Sequence, residues 1–231
     1  MTIQKWGGVA AITQALSYIV GFVLFFGILD ASDQDSPVKY LAFVIQNRDV
    51  YFLGYVIIGV LFSFALLVLV QAVYARFKAV SPELMTFTAI VGYLWAFIVL
   101  SSSLVFLTSL SALAKFYELD PEQALIISRT VTIVVDALGG GIELVGAVWM
   151  LAISYVGLRN KLLWAPLHYW GALVGLSGML TLFSGLSFLS ANPFFEVTTA
   201  IFGLGQILWF LVLGVAMIRA PAEPLSDGYA K

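Results

Sequence analysis

Four charged residues, Glu122, Arg129, Asp136 and Glu143, stand seven apart in a run that is free of proline from Glu122 to Asn160. On an α-helix a seven-residue step returns to nearly the same face, drifting ~20° per heptad. The last of the four, Glu143, follows Gly139, Gly140 and Gly141 and lies in a stretch that is otherwise apolar. An acid inside a bilayer costs about 2.5–3.5 kcal/mol on insertion scales and is a functional candidate by default. The chemistry open to Glu143 is that of a proton or cation site. Arg129 and Asp136 would form a polar vestibule above it, and the glycines would let backbone or ligand approach closely. The structural alternative is a Glu143 bonded to a neighbouring helix through Gln14, Gln71, Gln206 or the Ser101–Ser103 cluster. Arg129 and Asp136 would then be a polar seam, and the glycines a packing surface.

A second group with possible chemistry is Gly175-Leu176-Ser177-Gly178, which matches the GxSG serine motif of rhomboid intramembrane proteases. A serine nucleophile needs a base to take its proton. The single histidine, His168, precedes Ser177 by nine residues on the same helix, whereas the rhomboid base lies on a later one. Protease chemistry is therefore disfavoured, and so is a retinal Schiff base, because the last apolar span contains no lysine. His168 reads as an interfacial side chain, with a lone axial ligand as the alternative. One histidine and no cysteine exclude multi-His and thiolate metal sites as well as disulfides. No catalytic residue, cofactor or metal is expected.

The elements that would position these residues are membrane helices. Apolar residues make up 61 % of the 231 positions and charged residues 10 %, with a mean hydropathy of +1.02. Soluble domains carry roughly 25 % charged residues, so this chain lacks the polar surface to face water all round. A net charge of −2 without a basic block excludes a nucleic-acid partner. Six apolar stretches approach or exceed the ~20 residues that span a bilayer core: 6–29, 50–74, 86–110, 137–158, 169–189 and 199–218. The first is too long for a signal-peptide core and reads as a retained helix. All seven prolines fall outside these cores. Four of them follow a capping residue, in Ser36-Pro37, Ser81-Pro82, Asp120-Pro121 and Asn192-Pro193, which is how helices start.

The spans form one domain, residues 1–231, an all-α six-helix transmembrane bundle. Residues 37–47 are expected to form a short outer helix. Residues 121–136 are expected to extend the fourth helix on the outer side, with a bend allowed at the glycines. Lys5, Arg76, Lys78, Arg159, Lys161, Arg219 and Lys231 gather on one side, against Lys39, Arg48, Lys115 and Arg129 on the other. The positive-inside rule then puts both termini in the cytoplasm of a cell-membrane protein. Trp6, Trp164 and Trp170 fall near the inner interface, where indoles prefer to lie.

The run Val145-Gly146-Ala147-Val148-Trp149-Met150-Leu151, followed by Tyr155, Arg159 and Leu163-Trp164-Ala165-Pro166, resembles a bacterial family of six-helix membrane proteins of unassigned function. Gly7, Gly8 and the outer helix ending near Arg48 fit the same layout. The family often carries a histidine near the outer start of its fourth span, where this chain has Asp136-Ala137-Leu138-Gly139. The resemblance implies the architecture and no activity. The expected function is that of a non-catalytic sensor, scaffold or accessory protein in the lipid bilayer, partnered by other membrane subunits or by copies of itself. A small proton- or cation-coupled transporter using Glu143 is the alternative, and an intramembrane enzyme or lipid-handling protein the third reading. No internal repeat relates the two halves.

Overall fold

The computed structural model describes residues 1–140, 143–189 and 192–221; among these the chain is all-helical, without a strand. The elements are α1 (Ile3–Ile28), α2 (Pro37–Gln46), α3 (Arg48–Phe77), α4 (Pro82–Leu119), α5 (Pro121–Val135), α6 (Leu144–Arg159), α7 (Ala165–Thr181) and α8 (Pro193–Arg219). Four single helices, α1, α3, α4 and α8, are long and apolar enough to cross a membrane, as is the α5–α6 unit taken together. The remaining core helix, α7, has 17 residues and falls just short of that length.

Proline and capping residues start the helices as the sequence implies. The Ser36 side chain accepts the Lys39 N–H, Asp120 accepts those of Glu122 and Gln123, and Asn192 accepts that of Phe194. Each satisfies donors that a first turn leaves open. Ser81 precedes α4 without a side-chain cap. In the turn ahead of α2, the Asp30 carboxylate accepts the Ser32 N–H at 2.9 Å, which holds it below the usual range.

Three expectations need correction. The third span is far longer than 86–110: α4 has 38 residues, or about 57 Å at 1.5 Å per residue. The helical stretch expected at 121–136 is present as α5, which runs antiparallel beside the C-terminal half of α4, where Ser102 Oγ donates to Val135 O at 2.8 Å. The fourth span does not start at 137 as a continuous helix. The α5 helix passes into a kinked turn, Asp136–Gly140, in which Gly139 has φ 134°, and α6 starts only at Leu144. The fifth span is helical only to Thr181 and tightens into a 3₁₀ turn, Leu182–Gly185. There Thr181 and Ser184 hydroxyls take the carbonyls of Gly178 and Thr181, the local competition that ends helices.

Six core helices pack each against the next, α1–α3–α4–α6–α7–α8, and α8 closes the ring on α1. Lipid tails are as apolar as a leucine core, so close packing and interhelical hydrogen bonds must hold such a ring together. The α1–α8 seam shows how close. A Cβ on Gly8 would lie 2.7 Å from Gly214 O, and one on Gly214 would lie 2.7 Å from Gly8 O. The Gly171-x-x-x-Gly175 pair is likewise a packing face, set against Ser154, Leu151 and the Ala147 carbonyl of α6. Inside the ring the indoles of Trp95, Trp149 and Trp209 follow one another at 5.8 Å between ring centres. At one end of the bundle, Gln4 Nε2 donates to Met217 O and Ala220 O while Arg76 Nη1 donates to Gln4 Oε1. One buried amide thus ties the ends of α1, α3 and α8 together.

Candidate functional site

At the opposite end of the α1–α8 seam the two helices part. Around Gly8 and Gly214 their backbones touch, and at Tyr18 the phenol ring still stacks on Phe210 at 6.4 Å. Beyond Tyr18 a cavity of about 910 Å³ lies between Phe22 and Phe25 of α1 and Thr199 and Gly203 of α8. Its lining includes Phe26, 76 % exposed, and the exposed Leu204. Its floor is a linked set of rings, with Tyr18 edge-on to Phe62 at 5.5 Å and Phe62 edge-on to Trp95 at 5.8 Å. Such edge-to-face pairs hold aromatic side chains in fixed orientations.

Glu143 lies in the wall of this cavity, half-buried, at the position that would cap α6. It makes no capping hydrogen bond, and among the described residues its carboxylate has no hydrogen bond or ion pair. Tyr18 lies within its electrostatic reach and meets the side chain of Gln206. Two further polar groups are deeply buried in the same wall, Ser17 at 2 % exposure and Gln206 at 1 %. Ser17 Oγ and Gln206 Oε1 have no hydrogen-bond partner. Leaving a buried polar atom unsatisfied costs about 1–3 kcal/mol, so two in one cavity wall mark a place where a ligand or solvent completes the bonding.

Among the described residues, two π-type turns and the kink at Gly139 border the cavity. Phe25 and Phe26 belong to the turn Leu24–Ile28, Ile58 to Val56–Leu61, and Gly139 to Asp136–Gly140. Such turns widen a helix locally and recur at functional sites. A Cβ on Gly139 would meet nothing closer than 3.6 Å, so the glycine serves its positive φ and not close packing.

The charged stripe does not survive as one face. Glu122 and Arg129 are exposed on α5 and Asp136 is exposed in the turn, and the break at Gly139 turns Glu143 away from them. Of the six residues singled out, Glu143 and Gly139 line the cavity, and Arg129 and Asp136 do not. Gly141 lies outside the described residues. Among the polar partners considered for Glu143, only Gln206 shares its cavity. Gln14 Nε2 donates to Phe62 O at 2.9 Å, Tyr93 bonds Gln71, and Ser102 and Ser103 donate to backbone carbonyls.

Sequence reading missed Ser17 and Tyr18. The signal was present: Gln14, Ser17 and Tyr18 stand at i, i+3 and i+4, one polar edge on an otherwise apolar span. The serine motif comes to nothing in three dimensions. Ser177 Oγ donates to Leu173 O at 2.9 Å on its own helix, and His168 Nε2 donates to Leu162 O at 2.8 Å. His168 instead fastens the tight α6–α7 turn, where Lys161 and Leu163 have positive φ, by standing across Gly157. Trp6 and Trp164 are exposed as interfacial indoles would be, whereas Trp170 donates to Gly205 O at 2.9 Å. Among the described residues no three His, Cys, Asp or Glu side chains cluster as a metal site would. No family model, curated protein or solved structure matches the chain.

Proposed function

We propose that this is a non-catalytic, multi-pass cell-membrane protein that holds a small ligand between α1 and α8, as a sensor or accessory subunit would. The observation that carries the reading is the cavity in which Glu143, Ser17 Oγ and Gln206 Oε1 all lack partners. The absence of a base beside Ser177 and the backbone bond of His168 weigh against hydrolysis. Cytoplasmic termini are part of the proposal: Gln4 and Arg76 bring the two chain ends together with a basic residue, in keeping with the Lys/Arg asymmetry. Kinship with the six-helix family of unassigned function is likewise proposed, on the short runs around Trp149 and Pro166.

Gly203 supplies the test, because a Cβ there meets nothing within 4 Å and points into open cavity. Gly203→Phe should fold normally, fill the cavity and abolish saturable thermal stabilisation by small amphiphiles in lipid nanodiscs. Unchanged ligand response in a folded Gly203→Phe protein would contradict the reading. A carrier is the second reading, favoured by Glu143 standing beside the Gly139 break. For a carrier, Glu143→Gln should fold yet abolish pH-dependent uptake into reconstituted vesicles; uptake that persists unchanged would remove it.

A further inference from the structure

Taking the cavity as a ligand site, we infer that its ligand is a primary ammonium carried on an apolar body. Among the described residues the lining contains two carboxylates, Glu143 and the exposed Glu196, and no Lys, Arg or His. An anion entering there would meet like charge and nothing to neutralise it. The unpartnered buried atoms ask for donors: Gln206 Oε1 can only accept, and Ser17 Oγ can accept. An ammonium supplies three N–H donors and a positive charge, the chemistry that a carboxylate and two unpartnered acceptor oxygens in one lining call for. A neutral hydrocarbon would leave all of them bare, and a quaternary ammonium would bring charge without N–H.

The aromatic floor fits the same ligand. Cations are attracted to ring faces within about 6 Å, and Tyr18, Phe62 and Trp95 line the space. The exposed Phe26 and Leu204 in the lining give the apolar body an apolar surface to lie against. The shared chemistry is found both in free lipophilic amines and in the ethanolamine headgroup of a lipid, and the test separates the two.

The full-length protein in phosphatidylcholine nanodiscs is titrated with 4-phenylbutylammonium and with its neutral and anionic counterparts, 4-phenylbutanol and 4-phenylbutyrate. Thermal midpoint and tryptophan fluorescence are read together. The ammonium should bind saturably, at least tenfold more tightly than the alcohol, with no binding of the carboxylate. Glu143→Gln should weaken the ammonium at least tenfold and leave the alcohol unmoved. Should Glu143→Gln not fold, Gln206→Met reports the same loss through the acceptor. Adding phosphatidylethanolamine to the nanodisc should shift the ammonium curve if the headgroup occupies the site, and leave it unmoved if the ligand is a free amine. Equal affinity for ammonium and alcohol overturns the ammonium assignment while the ligand site stands. Tightest binding of the carboxylate does the same. If no probe binds and phosphatidylethanolamine is not retained by native mass spectrometry, the ligand site falls as well.

Discussion

At the scale of single residues, glycines and their opposite neighbours set much of the packing, and each makes a definite prediction. Gly157 faces the His168 ring so closely that an added Cβ would clash with it. Overpacking of this kind costs about 1–3 kcal/mol. Gly157→Ala should therefore lower the thermal midpoint in detergent, and His168→Ala in the same chain should recover part of the loss. If the double variant shows no coupling, His168 does not fasten the α6–α7 turn. Little of this was legible beforehand. Sequence gave His168 no partner, because Leu162 O becomes available only once Lys161 and Leu163 take positive φ. Glu143 stood out at once, since an acid among apolar residues violates solvent logic. Ser17 and Gln206 did not, because a hydroxyl or amide in a span is common and only the fold shows it without a partner.

At the scale of elements, helix starts were readable and helix ends were not. Ser36, Asp120 and Asn192 act through local hydrogen bonds that sequence specifies, so α2, α5 and α8 begin where expected. The end of α4 at Leu119 was missed because hydropathy locates the lipid-facing portion and says nothing of a helix that continues past it. The heptad stripe failed for a related reason: periodicity assumes one continuous helix, and Gly139 interrupts it. That break predicts opposite signs for two chemically identical changes. Gly139→Ala places a side chain at φ 134° and should cost of order 1–3 kcal/mol although space is available. Gly203→Ala, in regular helix with open space around its Cβ, should stabilise by about 0.5–1 kcal/mol. Thermal unfolding of both proteins measures the difference, and equal shifts would mean that the kink is not a fixed feature of the fold.

At the scale of the whole molecule, an all-helical chain with several helices long and apolar enough to cross a membrane was legible because so few residues are charged. The ring order was not, since apolar spans carry no directional mark of their neighbours and small residues alone are weak guides. The absence of cysteine makes single-cysteine labelling clean throughout. With both termini cytoplasmic, Asp33→Cys should react with a membrane-impermeant maleimide on intact cells and Lys78→Cys only after lysis. The reverse pattern would invert the proposed orientation.

The central claim is that an accessible cavity reaches Ser17 from the side of the bundle. Ser17 and Ser154 make a matched pair: both are serines in apolar spans, both are almost fully buried and both hydroxyls lack a partner, but only Ser17 lines the cavity. The measurement is the rate at which Ser17→Cys and Ser154→Cys react with a small organomercurial in nanodiscs, read by intact mass. Ser17→Cys should react at least tenfold faster and be protected by Gly203→Phe. Equal rates for the two cysteines, or no protection by the cavity-filling change, would contradict the account.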